Sequence, residues 1–372
     1  MLKLCLSARW DAEALPAARN LAAQQGLDWG LLLQAAQRAG VAPLLYHATR
    51  QRDLLPARAE AALRQAYYHN AARNTFLLAT LQDALCRLSA AGVPVIVLKG
   101  AALATTLYAS AALRPMGDLD LLVHPEHVPT ALAALAQLGY APGQGDLPDS
   151  HSAAYNNQVA LAKAGDGQSP LEIHWSLFSP TYYYRRVPMP WFWDTARPAQ
   201  FGAASACVLG PEALLLHLCA HILQHGGCER VRWLSLHDVA EVLAYDREQL
   251  DWELLLHKAQ EYRLLLPVRQ ALEWVHADWG APVPTQALDR LRALRPSRQE
   301  ERVFRQLTTA QRPVQHLWAG LAGIPDWRSR WALWRSIALP PPAYMRQRYA
   351  IRHRALLPLY YPYRWLRSLR RT

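Results

Sequence analysis

The stretch RPMGDLDLLV, residues 114–123, sets two carboxylates, Asp118 and Asp120, among residues that otherwise ask for burial. An ionised carboxylate is costly to bury unless it is paired or holds a cation. In an extended chain, residues two apart share a face. Asp118 and Asp120 therefore point one way, while Leu119 and Leu121 point into a core. Two parallel carboxylates at the mouth of a strand can share divalent cations. A pair of such ions activates an attacking oxygen and steadies a departing phosphate. Mg2+ suits the pattern, because it takes a few carboxylates and completes its shell with phosphate oxygens.

A third acid completes a site of this kind. PLEIHW, residues 170–175, offers Glu172, which shares a face with His174, opposite Leu171 and Ile173. His174 is either a structural hydrogen-bonding partner or a catalytic group. Upstream, VPVIVLKG, residues 93–100, reads as a buried strand that turns into a helix at Gly100. A strand-to-helix turn presents free N–H groups to a phosphate. Gly100 lets the backbone come close, and Lys99 adds a positive charge. Arg114, just ahead of the acids, meets a phosphate or pairs with Asp118.

The elements that must carry these residues follow from periodicity. Residues 1–90 are rich in Ala, Leu and Arg at helical spacing, a run closed by Gly92 and Pro94. Strands are expected at VPVIVLKG, DLDLLV, NNQVALAK and PLEIHWSLF, with AALATTLYASAAL as one helix and PEHVPTALAALAQLGY as another. Residues 141–150 and 181–190 read as loops, and from GPEALLLHLCAHILQHGG onward the chain reads as helical. The expected fold class is α+β. It comprises an N-terminal helical region (1–90), a small mixed-sheet core (91–180) and a C-terminal helical region with a basic tail (181–372).

The bulk composition narrows the classes. The chain has 372 residues, 52% of them apolar and 19% charged, which suits a folded chain rather than a disordered one. Five cysteines at scattered spacing, with no CxxC pair, exclude a zinc ribbon and a disulfide framework. No apolar run is long enough to span a bilayer, and the first residues are too short in apolar content for a signal peptide. A soluble, cytoplasmic location is expected. His217, His221 and His225 recur every four residues near Cys219 and Cys228. They read as a polar stripe toward a cleft rather than as a zinc box, since Cys219 lies off the stripe. The net charge is +11, and the last 33 residues hold eight Arg and no acid, interleaved with Tyr and Trp. Such a tail meets RNA or an anionic membrane surface, or packs on its own domain with the Arg heads in water.

The order of strand, Lys-Gly, helix, paired acids on a strand and a later acid resembles the DNA polymerase β-like nucleotidyltransferase superfamily. VIVLKGAALATTLYASAALRPMGDLDLLV, followed by LEIHW and RWLSLHDVAEVL, is similar to bacterial nucleotidyltransferase-family proteins sometimes found beside peptide-maturation genes. The likeness covers roughly residues 91–245, and more weakly YMRQRY at 344–349. It implies an NTP, expected to be ATP, bound with two Mg2+ ions at Asp118 and Asp120, and a later helical domain that helps to hold the nucleotide. It also implies that Asp238 faces the cleft, with Lys99, Gly100, Arg114 and His174 on the nucleotide side. Glu172 then completes the metal set and serves as base toward the acceptor. The implied reaction moves an NMP to an acceptor, a small molecule or a peptide, and releases pyrophosphate. Two alternatives use the same residues: transfer directed at RNA, and a nucleotide-binding scaffold without turnover in a peptide-maturation system. The superfamily usually has Gly-Ser at its phosphate turn. Here Ala101 follows Gly100, so one hydroxyl contact is missing.

Overall fold

In this computed structural model the described residues are 1–23, 26–142, 157–163, 166–178, 181–184, 186–224, 233–309, 327–349, 351 and 353–370. Five helices come first: α1 (Leu2–Ser7), α2 (Ala14–Ala23), α3 (Trp29–Arg38), α4 (Ala42–Thr49) and the long α5 (Ala57–Ala90). The mixed segment then runs β1 (Ile96–Val97), α6 (Lys99–Thr106), β2 (Leu119–Leu122), α7 (Val128–Ala136), β3 (Tyr140–Pro142), β4 (Gln158–Lys163) and β5 (Asp166–His174). Two short helices, α8 (Thr181–Tyr184) and α9 (Pro190–Asp194), lead to the hairpin β6 (Arg197–Phe201) and β7 (Ala204–Val208). Helices α10 (Pro211–Gln224), α11 (Trp233–Tyr245), α12 (Trp252–Glu261), α13 (Leu265–Trp279), α14 (Thr285–Ala293) and α15 (Arg298–Thr309) follow. Last come α16 (Trp327–Ala338), α17 (Pro342–Arg348) and α18 (Leu357–Arg370). The fold class is α+β, with one mixed sheet between helical regions.

The seven strands lie in the order β3-β4-β5-β2-β1-β7-β6. β2 pairs parallel with β5 and antiparallel with β1, and β1 pairs parallel with β7. The hairpin at 197–208 thus brings the chain back to the sheet after residue 180, where no strand was expected. Its sequence, RPAQFGAASACV, has little β-branched content and no clear alternation. The long-range pairing to β1 makes it a strand.

Alternation along β1, β2 and β5 splits the interior into two cores. Val95, Val97, Leu119, Leu121, Leu171 and Ile173 pack with α5 and α7 on one side. Ile96, Leu98 and Leu122 pack on the other side with residues of α1, α4, α10, α11 and α13. Asp120, Glu172 and His174 belong to this second face by the same alternation. The acids therefore look toward the C-terminal helices.

The segment expected as one helix over 101–113 is broken. α6 ends at Thr106, where Thr105 and Thr106 hydroxyls donate back to the carbonyls of Ala101 and Ala102. A one-turn helix at Ala111–Leu113 restarts the chain, capped by Ser110, whose hydroxyl accepts from Ala112 N–H. The loop that follows is held from below by α5. Asn70 donates to Ala112 O at 2.7 Å, Asn74 to Ala111 O and Arg114 O, and Arg73 to Met116 O and Gly117 O. Three polar side chains on one face of α5 thereby fix the approach to Asp118. Of the loop expected at 141–150, residues 141 and 142 end β3, and the rest lies outside the described residues.

Candidate active site

Asp120 is the centre of the site. It sits mid-strand in β2, 2% exposed, directly opposite Glu172 in the parallel β2–β5 pairing. Two nitrogens share its Oδ1: Lys99 Nζ at 3.1 Å and His174 Nε2 at 2.8 Å. Burial alone would raise the Asp120 carboxyl, but Lys99 and His174 outweigh it and hold the group well below the ordinary carboxylate range. Burial would likewise lower His174, and its hydrogen bonds to Asp120 and Glu172 raise it instead. The imidazole also lies 3.4 Å from Glu172 Oε2. Gln158 Nε2, on β4, donates to that same oxygen at 2.6 Å.

Asp118 stands just before β2, exposed to solvent. Crowding by the protein, then the negative Asp120 and Glu172, push its carboxyl above the ordinary value. That direction means the three acids feel one another, which is the electrostatic condition that a cation relieves. Ligand atoms of Asp120, Glu172 and His174 all lie within 4.8 Å of one another, and no other such group of three occurs among the described residues. The oxygen donors match a hard divalent cation, whereas the imidazole nitrogen is a softer donor.

Lys99 adopts φ +45°, in the left-handed region, so the strand-to-helix turn falls on Lys99 rather than on Gly100. A residue with a Cβ held there costs about 1–3 kcal/mol. Gly100 is required for a different reason. A Cβ on it would lie 2.5 Å from Arg114 Nη1 and 3.1 Å from Met116 Cγ. Arg114 cannot easily move aside, since its guanidinium is anchored on Asp238 by Nε to Oδ1 at 3.3 Å and Nη2 to Oδ2 at 2.9 Å. Gly100→Ala should therefore destabilise the fold by about 1–3 kcal/mol, read as a lower urea midpoint. An unchanged midpoint would show that Arg114 repacks freely.

The sequence left Arg114 between a phosphate and Asp118. Its partner is Asp238 on α11, 124 residues away. Asp238 is buried and also accepts from Tyr108 OH at 2.7 Å. Tyr108 in turn lies 3.1 Å from His237 Nδ1. One turn on, Glu241 receives Arg9 at 2.8 Å. These residues join the loop before Asp118, helix α11 and the N-terminal region through polar contacts. His217 of the histidine stripe is buried beside Phe178 and His221, while His225 and Cys228 lie outside the described residues.

The buried pair on α11 makes opposed contributions to pH dependence. Burial, helped by Asp238, lifts Glu241 to about 7 despite Arg9. Burial, helped by Arg9, drops His237 to about 3. Glu241 thus favours folding at low pH, a stability lost as pH rises from 4.5 through about 7. His237 favours folding above its ordinary 6.5, a stability lost as pH falls toward about 3. Between pH 6.5 and 4.5 the two slopes oppose each other. Glu241→Gln removes one of them. Relative to the parent, its unfolding free energy should fall by about 1 kcal/mol per pH unit on acidification from 6.5. Urea unfolding at two pH values checks this, and parallel curves for the two proteins would refute it.

The sequence profile of a family described as uncharacterised nucleotidyltransferases matches residues 25–280. The chain belongs to this nucleotidyltransferase family. No curated protein and no solved structure matches it. The match takes in most of the N-terminal helices, the whole sheet and helices through α13, so every site residue of this nucleotidyltransferase falls inside it. A nucleotide substrate and transferase activity follow from the family. Helices α14 to α18 lie beyond the matched segment. Among the described residues no helix is long and apolar enough to cross a membrane.

Proposed function

We propose that this nucleotidyltransferase moves an NMP from an NTP, ATP in the first instance, to a hydroxyl, carboxylate or phosphate acceptor and releases pyrophosphate. The observation that carries the proposal is the Asp120–Glu172–His174 group on the sheet face opposite α5 and α7, with Asp118 beside it. The order of these elements along the chain agrees with a DNA polymerase β-like core. Asp118, Asp120 and Glu172 are the residues that would hold two Mg2+ ions. Bound there, such ions supply charge neutralisation for the triphosphate and a more nucleophilic acceptor oxygen.

The remaining roles belong to the chain's own groups. Lys99 is held on Asp120 by an ion pair of 3.1 Å, and its ammonium would be the nearest positive charge for the triphosphate. Gly100 keeps the α6 N-terminus open to the phosphates. His174 keeps Asp120 in its rotamer. Glu172 accepts the proton of the acceptor. Arg114, pinned by Asp238, orients the loop that presents Asp118. The helical region after the β6–β7 hairpin covers the nucleotide, and the core, expected to end near residue 180, takes in that hairpin as part of its sheet.

The deciding experiment incubates the chain with each NTP and Mg2+ and follows pyrophosphate release, with mass spectrometry of candidate acceptors. An acceptor heavier by one NMP is the expected result. A second reading, a nucleotide-binding scaffold without turnover, draws on two observations: Ala101 lacks the usual hydroxyl, and Lys99 and His174 already satisfy Asp120. NTP bound tightly with no pyrophosphate released under any acceptor would favour the scaffold. The candidate acceptors to test are small molecules, peptides and RNA.

A further inference from the structure

Helix α16 carries Trp327, Trp331 and Trp334 at positions i, i+4 and i+7, which places them on one face. Their exposures are 71%, 55% and 52%. Arg328 and Arg335 lie about 60–100° round the helix from this stripe, and Arg330 flanks it on the other side. The Arg328 guanidinium stands over the Trp327 ring and that of Arg335 over the Trp331 ring, each 5.7 Å from the centroid. Helix α18 repeats the pattern: Leu359, Tyr363 and Leu366, again i, i+4 and i+7, are all exposed. Helix α18 is joined to the end of α16 by a hydrogen bond from Trp365 Nε1 to Ala338 O and to the turn after it by one from Tyr361 OH to Pro340 O, both 2.8 Å.

Charge sorts the candidate occupants of these stripes. Residues 327–372 hold eleven Arg, no Lys and no acid, which equals the whole net charge of +11. The remainder of the chain is balanced. A second copy offers the same eleven arginines or a neutral surface, so it has no complementary field. RNA supplies the charge, but single strands are held by aromatic platforms and polar grooves. The exposed Leu339, Leu356, Leu359 and Leu366 have no base-stacking use. Aliphatic side chains with Trp and Tyr, rimmed by Arg, match the boundary between lipid headgroups and acyl chains. At 12 and 14 residues the helices are too short to span a bilayer but long enough to lie on one.

We propose that the α16–α18 segment docks this protein on an anionic lipid surface, with Trp327, Trp331 and Trp334 at the acyl boundary and the arginines on lipid phosphates. The segment lies outside the family-matched residues 25–280, so the docking function is separate from nucleotidyl transfer and does not rest on it.

The test floats the full chain with phosphatidylcholine vesicles, with and without phosphatidylglycerol. Binding is expected only with phosphatidylglycerol, with a blue shift of tryptophan emission and weakening as salt rises. The triple variant Trp327→Ser, Trp331→Ser, Trp334→Ser should bind about tenfold more weakly or worse, with an unchanged melting temperature because the side chains are exposed. Arg328→Gln with Arg335→Gln should weaken binding and flatten its salt dependence. The proposal is overturned if the parent ignores anionic vesicles, or if the triple variant, folded, still binds them fully. It is equally overturned if an RNA oligonucleotide binds while vesicles do not. The same holds if ultracentrifugation shows that the tryptophans join two copies and vesicle binding is absent.

Discussion

Replacing Asp120 with Asn should lower nucleotidyl transfer by about 10³-fold or more, roughly 4 kcal/mol of transition-state stabilisation, and leave the chain folded. Asn keeps the shape and one accepting oxygen but removes the charge that a divalent cation needs. The fold should survive because both nitrogen partners have an exit. His174 owes its raised affinity for a proton to Asp120 and Glu172 and can become neutral. Lys99 is 18% exposed and can turn its ammonium to water. The expected loss of stability is about 1.5–3 kcal/mol, that of hydrogen bonds to a charged group. Asp118→Asn should lower turnover to a similar extent at less structural cost, since Asp118 is exposed and stands outside the strand. The measurement is single-turnover NMP transfer at saturating Mg2+, with a melting curve for each variant. Near-normal turnover in the folded double variant would sink the metal assignment.

The acids were legible in the sequence because their message is local. Alternation in DLDLLV and PLEIHW is enough to give Asp120, Glu172 and His174 a common face, and the register Asp120 opposite Glu172 brings them together. The strand-to-helix turn was legible for the same reason, though read one residue late, at Gly100 instead of Lys99. Pairings set by distant residues were not. Arg114 and Asp238 are 124 residues apart, and nothing in either neighbourhood names the other. Lys99 reads as a free cation at a phosphate turn, yet its backbone places it on Asp120. Gln158 and the α5 residues Asn70, Arg73 and Asn74 carry no chemical signature. The hairpin at 197–208 was missed because alanine, glycine and serine make weak strands until a neighbour supplies the ladder.

Glu172, rather than His174, should be the residue whose loss stops turnover while nucleotide still binds. Both side chains leave β5 on one face, so placement alone does not separate them. Charge and exposure do. The two divalent ions proposed above would bring four positive charges, and Asp118 with Asp120 would supply two negative ones. The triphosphate offsets part of the rest, but the ion next to the acceptor needs another hard oxygen or a nearby base. A carboxylate meets either need, whereas imidazole suits softer ions. The Glu172 side chain is 22% exposed, within reach of an incoming acceptor, while His174 is 3% exposed and spends its Nε2 on Asp120. Glu172→Gln keeps the hydrogen bond from Gln158 and removes the charge. It should lower the single-turnover rate by about 10²–10⁴-fold and leave the NTP Kd nearly unchanged, because the proposed phosphate contacts are Lys99 and the α6 N-terminus. His174→Gln should cost far less, since an amide N–H can still donate to Asp120. Both rates and both Kd values are to be measured with Mg2+ saturating. If His174→Gln is the inactive protein and Glu172→Gln turns over, the base is the histidine, and Glu172 serves only to orient it.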